Sequence, residues 1–342
     1  MNPNVNATAP APYGADEFGL ICGWRFDAKQ PPQPIGSLTA AGVLDSAPDS
    51  FVWIHMNLNH VGAQPWLRAH TPLGETFYEA WRTGSRSTRI ERDGEALFAV
   101  INDVTFDFSF DAGDVATLWV WVTDALVVTA RLHPLRSVDR LRLAIKRGET
   151  LESSVALLDH LMNDQADELQ QIARKTAERL DDIEDAVLAG HHDRYSAPLA
   201  GLRRVMVRLQ RLLAPEPSAL TRTLSRPPRW IAERDIALLL RTDEEFALVL
   251  RDIGALQERI KLLQDESATR VAEENNRSLF ILTMVTVLAL PINLTAGLLG
   301  MNVGGIPLAD SGHGFWSTLA VIAVLTVAVA WFVTWRMRHR RR

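Results

Sequence analysis

The stretch that decides the fold is residues 278–335, SLFILTMVTVLALPINLTAGLLGMNVGGIPLADSGHGFWSTLAVIAVLTVAVAWFVTW. Asp310 is the only Asp, Glu, Lys or Arg within it. The runs 278–299 and 314–335 hold 22 residues each, and a helix of about 20 apolar residues crosses a hydrocarbon core of about 30 Å. The sequence therefore predicts two transmembrane helices. The alternative, two buried core helices in a soluble protein, is disfavoured by the length of both runs.

Basic residues on either side of these runs predict their orientation. Five arginines lie in the tail 336–342, and Arg270 and Arg277 precede the first run, whereas the connector 300–313 has no Lys or Arg. Cytoplasmic flanks of membrane spans carry the excess of Lys and Arg. We therefore expect both termini in the cytoplasm and the connector outside.

The part of the chain before the spans is acidic. The tail and Asp310 together contribute +4 to the net charge of −5, so residues 1–277 carry −9. A nucleic-acid partner is not expected, because such proteins usually show a basic face. The single cysteine, Cys22, cannot form an internal disulfide, which fits a reducing compartment. We find no phosphate loop, HExxH or nucleophile elbow, so neither an enzyme nor a cofactor is predicted.

The predicted fold class is an α+β membrane protein. The predicted segments are a disordered lead-in at 1–17, an α/β and helical domain at 18–228, a stalk helix at 229–277, the spans 278–299 and 314–335 with the connector 300–313, and the basic tail 336–342. Within the domain, β-rich runs predict strands at 18–26, 51–58, 89–91, 96–104, 117–122 and 126–132. Helices are predicted at 66–69 and 75–82, then from Val138 onward at 149–189 and 195–213, the last ended by Pro215 and Pro217.

The stalk is predicted to continue into the first span as one helix. Residues 229–290 contain no proline and only one glycine, Gly254. Apolar residues recur there at spacings of three and four, the period of a helix face: Phe246, Leu250, Ile253, Leu256, Ile260 and Leu263.

Polar residues of the first span share one face of that helix. At roughly 100° per residue, a single arc of about 100° contains Asn276, Thr283, Thr286, Leu290, Asn293 and Gly297. Glu258 and Asp265 continue this arc into the stalk, while Thr295 lies on another side. Two spans cannot enclose a pore, so a pathway would be shared between subunits of a symmetric oligomer. The arc predicts a pore lining; the alternative is polar contact between packed helices.

A short motif directly follows this span, Gly300-Met301-Asn302. Further short stretches are distinctive in sequence: Glu273-Glu274-Asn275-Asn276-Arg277, the turn at Leu290-Pro291, GLLGMNVGGIP at 297–307, PEP at 215–217 and RPP at 226–228. With the preceding long helix, these residues make the chain resemble the CorA superfamily of metal ion transporters, in its ZntB zinc transporter branch. The resemblance covers almost the whole chain after residue 18.

The resemblance implies a homopentamer in a bacterial-type inner membrane, with an N-terminal cytoplasmic αβα funnel domain. It implies transport of a divalent cation, zinc preferred, coupled to protons, although residues 278–309 hold no titratable group. Leu299 replaces an aromatic residue of the magnesium branch, and Ile306-Pro307-Leu308 lacks its acidic residue, which favours zinc. The alternatives are magnesium or another divalent cation and, from a different class, a membrane-anchored sensor, which needs neither the arc nor the motif.

Five smaller features of the sequence allow two interpretations each. Asn302 lies with Gly300 and Met301 at the expected pore mouth. One copy per subunit would form a ring of carbonyl acceptors for a hydrated ion. The alternative is an ordinary turn residue at the end of a helix. Pro291 is a gating hinge or a static kink. Asp310 and His313 capture metal outside or are ordinary loop residues. His160 and Asp164, one helical turn apart, suit metal ligation or a solvated pair of side chains on one helix. His191-His192-Asp193 is predicted to be a solvated loop, with a zinc site as the alternative.

Overall fold

The computed structural model describes residues 14–27, 30–43, 50–84, 87–111, 113–189, 195–301 and 312–340. The chain divides into unit 1, Met1–Gln264, and unit 2, Asp265–Arg342. The greater part of the predicted lead-in, residues 1–13, lies outside the described residues.

Unit 1 is built on a mixed sheet with strand order β2-β1-β3-β7-β6-β5-β4. The strands are β1 Leu20–Asp27, β2 Gln30–Pro34, β3 Ser50–Asn57, β4 Arg89–Asp93, β5 Ala96–Val104, β6 Val115–Val122 and β7 Leu126–Arg131. β3 and β7 pair in parallel, and the other recorded strand pairs are antiparallel. Every residue of β5, β6 and β7 is buried, which explains their continuous runs of apolar residues.

Helices cover both faces of this sheet. In unit 1 they are α1 Ser37–Val43, α2 Ala63–His70, α3 Glu75–Arg82, α4 Arg136–Lys146, α5 Ser154–Leu188, α6 Ser196–Leu213 and α7 Pro215–Leu224. Successive strand residues point to opposite faces, so Ile54 packs with residues of α2 and α3, and Trp53 packs with residues of α4, α5 and α7. The predicted αβα layering of the N-terminal domain is thereby confirmed.

Several element boundaries differ from the predictions for local reasons. β2 was not predicted, because its sequence QPPQP holds three prolines and is tolerated at the sheet edge. α1 was not predicted either. Pro215 follows the end of α6 as predicted, but it also begins α7, since the first turn of a helix needs no N–H from proline. α5 begins at Ser154 rather than 149, because the Ser153 hydroxyl accepts from the Ala156 N–H and caps the helix.

The stalk and the first span form one helix, α8 Glu233–Leu299, which begins four residues later than predicted. It continues through Pro291, so the predicted turn at Leu290-Pro291 is helical instead. Within unit 1 its apolar stripe packs against α5 and α6; the buried members include Phe246, Leu250, Ile253, Ile260 and Leu263. A Cβ on Gly254 would lie 3.2 Å from Gln210 Nε2, so glycine permits the close approach of α6.

Unit 2 consists of the remainder of α8 and of α9, Gly314–Arg340. Large apolar side chains of both helices are exposed, among them Leu279, Leu282, Val324 and Trp331. Both helices are long and apolar enough to cross a membrane, as predicted. α9 extends five residues beyond the predicted second span and takes in part of the basic tail.

Candidate functional site

The predicted pore-lining residues lie on one exposed side of α8 in unit 2. Asn276, Thr283, Thr286, Leu290, Asn293 and Gly297 are all exposed. Thr283 Oγ1 donates to the Leu279 carbonyl at 2.8 Å, and Thr286 Oγ1 donates to the Leu282 carbonyl at 2.9 Å. Each hydroxyl has a single proton, which is used in this way, so its oxygen remains only an acceptor. This side of the helix therefore offers acceptors for the hydrogens of water molecules.

The other side of the same segment is less exposed. Met284, Leu288, Pro291 and Thr295 are half-buried. Thr295 Oγ1 donates to the Pro291 carbonyl at 2.7 Å. Thr295 thus makes the same kind of hydrogen bond as Thr283 in a different environment, which provides a matched pair of residues.

At the end of α8 the backbone leaves little room for a side chain at Gly300. Gly300 N donates to the Ala296 carbonyl at 2.9 Å, and a Cβ on Gly300 would lie 3.0 Å from that oxygen. Met301 is exposed. Asn302 and Asp310 lie outside the described residues. The His313 carbonyl accepts from the Ser317 N–H and hydroxyl at the start of α9.

The predicted stalk acids are divided between the two units. Glu258 belongs to unit 1 and Asp265 to unit 2, and both are exposed. The Asp265 carbonyl accepts from Thr269 Oγ1 at 2.8 Å. Exposure leaves both carboxylates able to attract cations from solution.

The candidate metal ligands of unit 1 form an ion pair. His160 Nδ1 lies 3.2 Å from Asp164 Oδ2, and Nε2 lies 3.0 Å from Glu149 Oε1. Pairing with the Asp164 carboxylate raises the pKa of His160 to about 9. A protonated imidazole has no free lone pair for a metal. This favours the interpretation in which His160 and Asp164 are a pair of side chains on one helix. Among the described residues no group of three or more His, Cys, Asp or Glu has the geometry to hold a metal ion. Residues 191–193 lie outside them.

Two buried acids of unit 1 were missed by the sequence analysis. Glu216 is fully buried, and burial raises its pKa to about 8. Gln165 Nε2 donates to Glu216 Oε2 at 3.3 Å and to the Asn102 carbonyl at 2.7 Å. Burial likewise raises the pKa of Asp103 to about 6, although Ser137 donates to its carboxylate. Glu216 lies within the quoted PEP motif, but nothing in that motif signals burial.

Known sequences resemble the chain over nearly its whole length. The profile of the family described as CorA-like Mg2+ transporter protein matches residues 48–341. The divalent cation transporter CmaX of Pseudomonas aeruginosa is 29% identical over 95% of this chain and 97% of its own length. The zinc transport protein ZntB of Yersinia enterocolitica is 24% identical over 85% of this chain and 91% of its own. The predicted resemblance to the superfamily and to its ZntB members is confirmed.

Solved structures agree with this relation. The structure of full-length CmaX matches with a TM-score of 0.77 and 28% identity, covering 96% of this chain and all of that one. The CorA magnesium transporter from Methanocaldococcus jannaschii matches with a TM-score of 0.69 and 19% identity, covering 91% and 96%, and shows the shared fold. The family is one of transporters, which supports the predicted absence of enzymatic activity. The chain belongs to the family of CorA-like divalent cation transporters.

Proposed function

We propose that the chain carries zinc and similar divalent cations across a bacterial inner membrane, as a homopentamer, through a pathway on the symmetry axis lined by α8. The observation that carries this proposal is the exposed acceptor side of α8, formed by Thr283, Thr286 and Asn293 within a run without charge. A cation that keeps its water shell presents hydrogens outward, and hydroxyl and amide oxygens accept them.

The apolar remainder of unit 2 supports an assembly of several copies. One chain contributes two apolar helices, which cannot surround a channel. Turning the polar side of α8 to a shared axis leaves the exposed leucines and valines for lipid and for neighbouring copies. In this arrangement both termini are cytoplasmic, by the charge of the flanking residues.

The pore mouth is assigned to Gly300, Met301 and Asn302. Ala296 lies so close to Gly300 that a side chain there would crowd the helix end. A ring of Asn302 amides would accept hydrogen bonds from the waters of an entering ion without burying a charge. Asp310 and His313 then lie on the outer side as a transient capture site for the metal.

The choice of zinc rests on sequence details and on relatives. Leu299 and the run Ile306-Pro307-Leu308 depart from the magnesium branch, and ZntB is named for zinc transport. Magnesium is the second candidate, because the family profile carries that name. CmaX is named for divalent cations in general. Ion preference therefore needs a direct measurement.

The experiment is flux in proteoliposomes containing the full-length chain. Entry of Zn²⁺, Mg²⁺ and Co²⁺ is recorded with and without a pH gradient across the membrane. We expect zinc to enter fastest and a pH gradient to accelerate it. Faster magnesium flux that ignores the gradient would replace zinc by magnesium, and absence of flux for every ion would refute transport.

A matched pair of variants tests the pathway itself. Thr283→Val and Thr295→Val each remove one hydroxyl that donates to the carbonyl four residues earlier. We expect Thr283→Val to reduce zinc flux about threefold to tenfold, since one hydrogen bond is worth about 1 kcal/mol, and Thr295→Val to leave it unchanged. Equal loss in both variants would mean that the exposed side of α8 is not the lining.

A further inference from the structure

Helix α7 lies along the free edge of the sheet in unit 1. Strand β4 is the last strand in the sheet order, so one of its edges has no strand partner in the described sheet. Thr223 Oγ1 lies 2.6 Å from the Ile90 carbonyl of β4 and 2.9 Å from the Ala219 carbonyl of α7, and its single proton is shared between these two acceptors. The Thr88 hydroxyl donates to the Leu212 carbonyl at the end of α6. These bonds hold α7 beside the strand and leave a cleft between them.

This cleft, of about 580 Å³, is lined mainly by arginines. Arg89 and Arg92 come from β4, and Arg222 and Arg226 come from α7 and the residues just after it. Glu91 is the only carboxylate among the recorded lining residues. With Glu95, which pairs with Arg92, counted beside Glu91, the four arginines leave a local charge of +2 in a domain whose sequence is acidic. Its volume falls within the usual range for small-molecule sites, about 300–1,000 Å³.

Both β4 arginines are already engaged by neighbouring residues of the sheet and its turns. Arg92 pairs with Glu95 at 2.5 Å and donates through Nε to the Gly94 carbonyl. The Arg89 guanidinium lies over the Phe98 ring and 3.8 Å from Glu91. Side chains that are already ordered lose less entropy when a ligand binds.

The α7 arginines are available to a ligand. Arg222 and Arg226 are four residues apart and exposed. In the part of the chain that the structure describes, neither arginine forms an ion pair with an N–O distance of 4.0 Å or less, unlike Arg68 and Arg92. Two positive side chains held near each other repel, and a shared anion would relieve that repulsion.

The strand edge adds a backbone donor. In an antiparallel strand the N–H and C=O of one residue point to the same edge. The Ile90 carbonyl is bonded by Thr223 of α7, so the Ile90 N–H points to the α7 side as well. It therefore lies on the side of β4 that faces α7 and the cleft.

We propose that this cleft binds an anion that carries phosphate groups, of the size of a nucleoside triphosphate. The planar fork of arginine matches phosphate oxygens in pairs of hydrogen bonds, and the Ile90 N–H adds a neutral donor. Pro215 and Ala219 offer a small apolar surface for the rest of such a molecule. A lining of four arginines repels cations, so this site is separate from the proposed ion pathway and does not depend on it.

The test is binding of metal-free ATP to the full-length chain in detergent, measured by calorimetry. The test variant is Arg222→Gln with Arg226→Gln. The control is Arg204→Gln with Arg211→Gln, which removes the same charge from exposed positions of α6 outside the cleft. We expect the Kd for ATP to rise about tenfold or more in the test variant, as for loss of charge-assisted hydrogen bonds, and to stay unchanged in the control. Size-exclusion chromatography confirms an unchanged oligomer for each protein.

Competition identifies the source of the phosphate. Inorganic phosphate and ADP are added to one series, and phosphatidylglycerol vesicles are added to another. Displacement by the soluble anions assigns the site to a free phosphorylated metabolite, and displacement by vesicles alone assigns it to a lipid headgroup. Equal affinity in all three proteins, or no binding of ATP, phosphate or vesicles to the unaltered chain, would overturn the proposal.

Discussion

One helix, α8, shows two opposite environments along its length. In unit 1 its apolar residues are enclosed, with Phe246 and Ile253 both 0% exposed. In unit 2 comparable residues are open, with Leu282 64% and Leu290 65% exposed. Both segments are regular helix, so secondary structure does not distinguish them. The difference lies in the share of apolar residues: in unit 1 one apolar stripe lies opposite charged residues, whereas in unit 2 apolar residues cover the helix apart from the polar positions of the predicted arc.

Polar side chains differ between the segments in the same way. In unit 1, Arg259 of α8 reaches across to α5, where it pairs with Asp181 at 2.7 Å and with Glu184. In the span, Thr283 and Thr286 instead donate to carbonyls of their own helix. A hydroxyl that donates to a carbonyl of its own helix needs no partner from a second element, so it can lie on a face of α8 that no other helix of the chain covers. The charged Arg259 thus ties α8 to a second helix in unit 1, whereas the hydroxyls of the span are satisfied within α8 itself.

The largest effect should come from Asn302, just beyond the end of α8. Asn302→Leu keeps similar bulk but removes acceptor and donor, so we expect most metal flux to be lost, about tenfold or more if the amide ring holds the hydrated ion. Asn302→Asp should also slow transport but with tighter apparent affinity, because a ring of negative charge retains a divalent ion. Proteoliposome flux at several metal concentrations separates the two. Wild-type flux in both variants, with the oligomer intact, would remove Asn302 from the pathway.

A substitution in each segment of α8 tests the contrast in burial. Phe246→Ala leaves a cavity between α5, α6 and α8, so we expect the free energy of unfolding of unit 1 to fall by about 3–5 kcal/mol. Leu282→Ala removes an exposed side chain and should change it by less than about 0.5 kcal/mol. Chemical denaturation of the full-length chain in detergent, followed by tryptophan fluorescence, gives both values. Equal losses would break the comparison.

The His160 ion pair predicts a pH dependence confined to unit 1. Its pKa is about 9 in the folded chain and lies above the ordinary value of 6.5. The folded state then binds the proton more tightly, so the stabilisation is complete below pH 6.5 and is lost as pH rises through 9. We expect His160→Gln to cost on the order of 2 kcal/mol at pH 6 and little at pH 9.5.

Denaturation midpoints at the two pH values measure this effect, with His133→Gln, at an exposed position, as the control. A constant difference between wild type and His160→Gln across this range would show that the pair does not stabilise the fold.

The smallest effect concerns the stalk acids. Asp265→Asn removes one exposed carboxylate per chain from the predicted arc, so we expect zinc flux to fall by about twofold or less at low salt, through weaker attraction of cations. Asp252→Asn makes the same change of charge at an exposed position outside the arc and should leave flux unchanged. Identical flux in both variants would exclude Asp265 from the pathway.

Much of the fold could be predicted because its signals are local. The strand at 96–104 and the helix at 75–82 were predicted with the bounds observed, since apolar runs and periodicity lie within each segment. β2 was missed because its three prolines argue against a strand, although an edge position tolerates them. Helical geometry predicts which polar residues of α8 share one face in unit 2, whereas the lining role of that face stays a prediction.

Features that depend on distant contacts could not be predicted in this way. Glu216 lies between two prolines, which suggests a loop, and its hydrogen-bond donor Gln165 lies 51 positions away along the chain. The arginine cleft joins Arg89 of β4 to Arg222 of α7, which only the folded sheet brings together. Asn302 lies outside the described residues, so its role remains a prediction.

The order of the two units along the chain has a consequence for biosynthesis. Every strand of the sheet and the α5–α6–α8 cluster are encoded before Gln264, and the exposed apolar segment of α8 follows them. The 35 residues of Asp265–Leu299 need about 2–7 s of translation at about 5–20 residues per second. Unit 1 therefore has time to begin folding while it is still tethered to the ribosome. The apolar segment would then enter the membrane from a nascent chain in which the folding of unit 1 has already begun.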